Sequence, residues 1–206
     1  GLLVLDIHKK EETNMFFDIG TNGELVIGNK DWMIAGAGAA GPALEGYISK
    51  FGMRAGPGAI DSVKIQGREL TFTTIAGQKP VGICGSGIID LLAQMRINGW
   101  INMAGLLEPS ASDRIRFLPE ENGYVAIYAT AGETANGQPL YFSQTDINQY
   151  LDTKAAAYTM VDCMLETAGV SAEDISLLYL SGAFPAHSDL ESAITIGIFP
   201  DLPREK

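Results

Sequence analysis

The stretch "MFFDIGTNGELVIGN", residues 15–29, decides the fold. It consists of two apolar segments separated by a short polar turn that contains Asn22-Gly23. Asn-Gly between two such segments is typical of a tight β-hairpin. Turn chemistry explains neither Asp18 at the end of the first segment nor Gly20 after it. The stretch therefore predicts a hairpin, and Asp18 at the end of its first strand needs an explanation other than the turn.

Composition and net charge indicate the size of the fold and argue against one class of partner. The chain has 206 residues, of which 46% are hydrophobic, and its net charge is -11. This length forms one large domain or two small lobes with a substantial core. Proteins that bind nucleic acid usually present a basic face, so the negative charge argues against a nucleic-acid partner.

Targeting and cysteine patterns indicate a cytoplasmic protein. No apolar run reaches the roughly 18 residues of a membrane span, and residues 1–12 lack the pattern of a secretory leader. We therefore expect no membrane partner. Cys84 and Cys163 are far apart, and neither has a second cysteine or a histidine nearby. Local spacing therefore predicts neither a disulfide framework nor a CxxC metal site.

Helices and strands alternate along the rest of the chain. Apolar residues at helical spacing predict a helix that ends at Gly99 and a longer one from a Ser143 or Thr145 cap to Gly169. The run 177–180 is apolar throughout, as expected for a strand buried on both faces of a mixed sheet. The pattern predicts an α/β fold.

The residues after Asp18 suit phosphate binding. Glycines at 20 and 23 let backbone N–H groups approach an oxyanion, and Thr21 and Asn22 add side-chain donors. An acid at a strand end can hold a hydrated divalent cation. Asp-x-Gly turns also close ordinary hairpins, so the purely structural alternative stays open.

Two further glycine clusters follow strands. In "LYLSGAF" the glycine comes directly after the apolar strand, where a ligand can lie against the backbone. In "GICGSGIID", Gly85, Ser86 and Gly87 open a helix. The free N–H groups of that helix could receive an anion, or its glycines could only permit close packing of the helix on a sheet.

Six motifs together carry a resemblance to a known family. They are "DIGTNGELVIGN", "GPALEG", "GMRAGPGAID", "GICGSGIIDLLA", "SQTDINQYLDTKAA" and "LYLSGAF" with the later "AITIGIFP". In this order they resemble the C-terminal part of the ASKHA (actin-like ATPase) domain of the reductive activators of corrinoid proteins. The resemblance implies one lobe of an actin-like, ribonuclease H-like fold, in which helices flank a mixed β-sheet and a β-rich insertion is present.

The resemblance also implies a function. The activators join an iron–sulfur module to an ATPase domain and return an inactive Co(II) corrinoid to Co(I), the methyl-accepting state. The expected ligands are ATP and Mg²⁺, and the expected partner is a corrinoid protein. The chain has no ferredoxin-like cysteine set, so the iron–sulfur cluster would belong to a missing N-terminal domain.

Site residues follow from the positions that match the family. Asp18 would orient Mg²⁺ through water, and Glu24 would position the attacking water. Lys154 would face the nucleoside. The second phosphate loop would comprise Gly20, Thr21, Asn22 and Gly23, and the adenosine loop would comprise Ser181, Gly182 and Ala183. Lys154 on a solvated helix face and Glu24 at a solvated strand end are the structural alternatives.

The chain also departs from the family pattern. An intact ASKHA domain has an earlier Asp-x-Gly-Thr loop, and only one such loop occurs here. We therefore expect residues 1–206 to be a single C-terminal lobe of a longer protein, inactive by itself. Pro185 stands where relatives often have glycine, and its role and that of His187 stay open, as does homodimer formation.

Two other functions remain open from the sequence. One is the lobe of a small-molecule kinase of the same superfamily, which would need a substrate acid in the other lobe. The other is a non-catalytic, partner-binding module whose glycines serve only turns. Binding of Mg-ATP separates the ATPase and kinase functions from this third one.

Overall fold

A computed structural model describes residues 1–19, 23–38, 47–182 and 189–200. The helices in these ranges are α1 (Leu2–Leu5), α2 (Gly85–Ile97), α3 (Gln144–Ala168) and α4 (Leu190–Thr195). The strands are β1 (Asn14–Ile19), β2 (Gly23–Gly28), β3 (Met33–Gly38), β4 (Ala59–Gln66), β5 (Glu69–Thr74), β6 (Gly82–Ile83), β7 (Ile115–Leu118), β8 (Gly123–Ala129), β9 (Leu140–Ser143) and β10 (Leu177–Ser181). None of the helices in these ranges is both long and apolar enough to cross a bilayer.

The first sheet has the strand order β10-β1-β2-β3. Strand β1 pairs antiparallel with β2 and parallel with β10, and β2 pairs antiparallel with β3. The predicted hairpin is therefore confirmed, and the sheet is mixed. Its main core face carries Met15, Phe17, Leu25 and Ile27, all at most 2% exposed.

Strand β10 differs from its prediction. The apolar run 177–180 predicts a strand buried on both faces, but every residue of β10 is only half-buried. The physical reason is its position at the edge of the sheet, where it pairs within the described ranges with β1 alone. An edge strand has fewer neighbours than a central one, whatever its hydrophobicity.

Residues between β3 and α3 form a β-rich insertion. It contains a sheet of order β5-β4-β6 and a sheet of order β7-β8-β9. Helix α2 packs on β4 and contacts α4, which links the insertion to the first sheet's side of the molecule. Helices flanking a mixed sheet, together with this insertion, confirm the predicted fold class.

Helix α3 is fixed at both ends by local chemistry. The Ser143 Oγ accepts a hydrogen bond from the Asp146 N–H at 3.1 Å, and the Asp146 carboxylate accepts one from the Ser143 N–H at 2.9 Å. This reciprocal capping box chooses Ser143 over Thr145 as the cap. Gly169 ends the helix with a φ of 65°, as the sequence predicts.

Gly87 lets α2 approach β4 closely. A Cβ atom on Gly87 would lie 2.4 Å from the carbonyl oxygen of Ile60 and 2.8 Å from Cγ1 of Ile83. Backbone atoms cannot move aside as the end of a flexible side chain can. Close packing therefore accounts for this glycine of the "GSG" motif.

We expect Gly87→Ala to destabilise the fold by about 1–3 kcal/mol because the added methyl group overpacks the helix–strand contact. Gly132→Ala is the matched control, since no atom lies within 4 Å of its Cβ position. Urea unfolding followed by circular dichroism gives both values. Equal stability of the two variants would contradict the packing role of Gly87.

Candidate nucleotide-binding site

Three predicted site residues lie side by side across the first sheet. In the strand register, Asp18 of β1 is opposite Ser181 of β10 on one side and Glu24 of β2 on the other. Residues directly opposite each other point to the same face of a sheet. Asp18 and Ser181 are half-buried, and Glu24 is exposed. We call these three residues the polar row.

The polar row lies where β1 and β10 end. The two strands are parallel, so their carboxyl ends lie at the same end of the sheet, which we call the sheet edge. In open α/β sheets, ligands bind beyond the carboxyl ends of such strands. Gly182 follows the row with a φ of 113°, a conformation that glycine adopts readily. Gly20, Thr21, Asn22 and Ala183 lie outside the described residues.

An apolar cluster covers the same face directly behind the polar row. Phe16 and Asp18 are two residues apart on β1 and therefore share a face. Phe16 packs with Val26, Tyr179 and Ile7, and Ile7 is 0% exposed. The face is thus apolar at Phe16, next to the row, and polar where the row itself lies.

Gly23 at the start of β2 has a packing role as well. A Cβ atom on it would lie 3.1 Å from the Phe17 ring and 3.8 Å from the methyl group of Met160. The glycine therefore leaves room for the core face of β1 and for α3. This contact does not test the predicted role of its N–H group toward phosphate.

Helix α3 extends beyond the edge that carries the polar row. Its Met164 lies against Gly36 and its Met160 against Gly38, with hypothetical Cβ to Sδ distances of 2.5 and 2.9 Å. Strand β3 ends at the same edge as β1, so α3 runs antiparallel to it. Lys154 is six residues before Met160, which places it about 9 Å further along the helix.

Lys154 lies against the turn after α4. A Cβ atom on Gly197 would lie 2.8 Å from the Lys154 Nζ, and Gly197 has a φ of 74°. Lys154 is only partly exposed, and no carboxylate of the described residues pairs with it. Lys154 therefore does not lie on a fully solvated helix face. Its role toward the nucleoside stays a prediction.

A cavity of about 100 Å³ lies beside Lys154. Arg96 of α2 also lines it, and so does Tyr150, whose hydroxyl donates to the Ile196 carbonyl at 3.2 Å. Two cationic side chains from different helices thus line one small space. The sequence carries no distinct signal for Arg96, because an arginine in the last turn of a helix is also the usual complement of the helix dipole.

The "GSG" motif is part of the insertion and not of the polar row. Cys84, 2% exposed, precedes α2, and its Sγ lies 3.3 Å from the Ser86 Oγ. Its N–H donates to the Ile60 carbonyl, so α2 begins beside β4. Gly85 and Ser86 therefore remain predicted nucleotide contacts that the described geometry does not bring next to Asp18.

The segment after the "GPALEG" motif is held by a charged cluster. Lys50 Nζ donates to the Tyr141 hydroxyl at 2.7 Å and to the Glu121 carboxylate at 3.0 Å, and the Tyr141 hydroxyl donates to Glu121. The hydrogen bonds from Tyr141 and Lys50 lower the pKa of Glu121. Residues 39–46, which include the whole motif, lie outside the described ranges.

The described residues contain no group of three or more His, Cys, Asp or Glu side chains placed to hold a metal ion. A magnesium ion that keeps most of its waters needs only one or two carboxylates from the protein. Asp18, with the Ser181 hydroxyl and Glu24 in the same row, is such an oxygen donor set. The residues present therefore fit a hydrated Mg²⁺.

A polar row at the carboxyl edge of a mixed sheet, flanked by helices, is the arrangement of an actin-like ATPase lobe. The family described as the C-terminal domain of RACo, the ASKHA domain, matches residues 12–206. The chain belongs to this family.

Similar proteins carry related names. The chain is 33% identical to the corrinoid activation enzyme RamQ of Eubacterium limosum, over 97% of the chain and 35% of that protein. It is 27% identical to the [Co(II) methylated amine-specific corrinoid protein] reductase of Methanosarcina barkeri, over 99% of the chain and 38% of that protein. A solved reductive activator for corrinoid, iron-sulfur protein superposes with a TM-score of 0.88 at 38% identity, covering 98% of the chain and 32% of that structure. The chain thus spans about a third of each relative.

We expect Glu121→Gln to lower the free energy of unfolding at neutral pH and to have a smaller effect at acidic pH. A lowered pKa means that the ionised carboxylate is favoured in the folded state, so its contribution is complete above the ordinary value of 4.5 and disappears as pH falls through the folded value. Because the pair is near the surface, the loss at pH 7 should be below about 1 kcal/mol. Urea unfolding at pH 7 and pH 3.5 (about one unit below the ordinary value) measures it.

Glu120→Gln is the matched control, because Glu120 is exposed and adjacent in sequence. It should leave the free energy of unfolding unchanged at both pH values. A Glu121→Gln effect that is as large at the lower pH as at neutral pH would refute the ionic role of Glu121.

Proposed function

We propose that the chain is the ATP-binding lobe of an ATP-dependent reductive activator, which returns Co(II) corrinoid proteins to the Co(I) state. The observation that carries this proposal is the polar row of Asp18, Ser181 and Glu24 at the sheet edge of an ASKHA-family chain. The names of the relatives support the corrinoid protein as the client.

In this proposal Asp18 holds Mg²⁺ through water, and the amides of residues 20–23 bind phosphate. Magnesium would neutralise phosphate charge when bound. The half-buried position of Asp18 supports its role because it fixes the carboxylate more firmly than an exposed site would. Glu24 is exposed and can reach water, as the positioning of an attacking water requires.

The nucleoside would lie beyond the sheet edge, between the segment after β10 and helix α3. Ser181, Gly182 and Ala183 provide the loop on one side, and α3 provides Lys154 on the other. The position of Lys154 beyond the ends of β1 and β3 supports this role. Gly197 contributes indirectly, because a side chain there would displace the Lys154 ammonium group.

The electron for cobalt would come from elsewhere in the parent protein. Cys84 is buried and Cys163 is exposed, and two separated cysteines cannot ligate an iron–sulfur cluster that needs four protein ligands. The cluster would therefore be held by an N-terminal domain. ATP can assist the reduction only if it binds one arrangement of the parent protein more tightly than another.

We expect weak binding of Mg-ATP by the isolated chain, with a dissociation constant above roughly 0.1 mM, and no hydrolysis, because one lobe leaves the phosphates open to water. Asp18→Asn in the full-length parent should weaken Mg-ATP at least about tenfold, which is 1.4 kcal/mol. Isothermal titration with and without Mg²⁺ measures both.

Asp31→Asn is the control for Asp18→Asn. Asp31 is exposed in the turn between β2 and β3, at the opposite edge of the same sheet. The Asp31→Asn variant should bind Mg-ATP with the same affinity as the wild type. Unchanged affinity in Asp18→Asn would show that the polar row does not bind the nucleotide, and low-micromolar binding by the isolated chain would contradict the need for a second lobe.

We also expect the full-length parent to bind a corrinoid protein more tightly in its Co(II) form than in its methylated form, because an activator must release a repaired client. Mg-ATP should change that affinity, since coupling between the two sites is what the mechanism needs. Calorimetry across both cobalt states, with and without Mg-ATP, measures the four affinities. Equal values in all conditions would reject the activator function even if ATP binds.

A further inference from the structure

The cavity beside Lys154 carries two cationic side chains. Arg96 comes from the last turn of α2, and Lys154 comes from the middle of α3. Among the described residues, those that line the cavity include neither aspartate nor glutamate. The whole chain, in contrast, has 25 acidic residues and only 14 lysines and arginines. The cavity therefore has a charge opposite in sign to that of the protein.

The usual structural role of a cation on a helix accounts for Arg96 but not for Lys154. Arg96 complements the dipole at the end of α2, and its guanidinium contacts the Met103 sulfur. Lys154 is far from both ends of α3, where that dipole acts. Two like charges that line one space repel each other, and an anion between them removes the repulsion.

Hydrogen bonds and close packing hold the wall of the cavity. Tyr150 is 3% exposed, and its hydroxyl donates to the Ile196 carbonyl at 3.2 Å. The Gly105 carbonyl accepts a bond from the Gln144 Nε2 at 2.9 Å, and a Cβ atom on Gly105 would lie 2.5 Å from Leu151 Cδ1. These contacts fix the space before a ligand enters. Such preorganisation lowers the entropic cost of binding.

The cavity is accessible from water and has a further polar group. Met103, which lines it, is 85% exposed, and Thr195 is exposed as well. The Thr195 hydroxyl adds a neutral hydrogen-bond donor to the two cations. Much of the remaining lining is apolar, including Leu92 and Ile147. A mainly apolar space on which a few polar groups converge is typical of a ligand site.

The volume of the cavity limits the ligand to one small group. Its 100 Å³ is well below the roughly 300 Å³ at which pockets for small-molecule ligands begin. A whole nucleoside therefore does not fit inside it. The guanidinium of Arg96 favours a carboxylate or a phosphate group, because two of its N–H groups match two oxygens of either, and the Lys154 ammonium adds a point charge.

We infer that the cavity lined by Arg96 and Lys154 is a binding site for one small oxyanion, a phosphate or a carboxylate group. The anion accepts hydrogen bonds from both cations and thereby connects α2 to α3. The inference does not depend on the proposed function, because the cavity and its charge are present whether or not ATP binds at the polar row. A free anion and a phosphate group of the nucleotide have the same chemistry, and the experiment separates these two sources.

Chemical modification of Arg96 in the full-length parent tests this inference. Phenylglyoxal reacts with accessible arginine side chains, and peptide mass spectrometry gives the rate at each arginine. Inorganic phosphate, titrated against sodium chloride at constant ionic strength, should slow the reaction at Arg96 by at least about threefold once its concentration exceeds twice the dissociation constant. Arg54 is the internal control, because it is exposed and does not line this cavity, and its rate should not change.

Lys154→Gln tests whether both cations belong to one site. The variant removes the charge and keeps a polar side chain. The phosphate concentration that gives half of the protection at Arg96 should rise at least about fivefold, because a charge-assisted hydrogen bond is lost. Lys64→Gln is the matched control, since Lys64 is exposed on β4, and it should leave this concentration unchanged. The wild-type titration decides the question if Lys154→Gln does not fold.

Titrations with acetate and with Mg-ATP identify the source of the oxyanion. Protection by Mg-ATP that is present in the wild type and absent in Asp18→Asn would assign it to the nucleotide bound at the polar row. Protection by phosphate or acetate that is equal in both proteins would assign it to a free anion. Either result supports the site.

Two results would overturn the inference. One is an equal rate at Arg96 with phosphate, acetate, Mg-ATP and chloride. The other is equal protection of Arg54, which would show that the anions only screen charge. A parent that binds no Mg-ATP and still shows phosphate protection at Arg96 would reject the proposed function and leave this inference intact.

Discussion

The parallel pairing of β1 with β10 is the contact on which the site depends. These strands come from opposite ends of the chain, and their register alone sets Ser181 beside Asp18. A slip of one residue would turn Asp18 and Ser181 to opposite faces of the sheet, because side chains alternate along a strand. The same slip would turn Leu178 and Leu180 of β10 away from the main core, against which they pack. Burial of the apolar face and assembly of the polar row are therefore one constraint.

Glycine and methionine give the second constraint, the placement of α3. Gly36 and Gly38 leave space on β3 that the side chains of Met164 and Met160 occupy. Methionine is flexible enough to fill such irregular space. Because Met160 lies against Gly38, the last residue of β3, the part of α3 before Met160 extends beyond the sheet. That part carries Lys154 and forms one side of the cavity that Arg96 also lines.

The buried carboxylates differ from those of the polar row in what they contact. Asp146 and Asp90 are buried, and burial raises the pKa of each against the hydrogen bonds that lower it. The Asp90 carboxylate of α2 accepts hydrogen bonds from the Ser62 hydroxyl and the Val63 N–H of β4, and the Asp146 carboxylate accepts one from the Ser143 N–H, so both lie where one element meets another. Asp18 is instead half-buried at an open edge. Position relative to solvent thus separates acids that hold the fold together from an acid available to a hydrated cation.

The sequence by itself determined the hairpin, the end of the long helix and the family. Asn22-Gly23 between apolar segments, and Gly169 after the long helix, are local signals that depend on backbone conformation and short-range hydrogen bonds. Six motifs in order identified the ASKHA domain that the comparison confirmed. The apolar run 177–180 wrongly predicts a strand buried on both faces, because hydrophobicity does not reveal whether a strand is central or at an edge.

Only the tertiary structure decided which residues share a site. It set Asp18, Ser181 and Glu24 in one row, placed Lys154 against Gly197, and gave Gly87 a packing role beside Ile60. The contact of Asp90 with β4 had no sequence signal, since an acid on a helix is most often exposed. These features depend on strand register and on contacts between residues far apart in the chain. Local propensity carries no information about such contacts, because they exist only after the elements have packed.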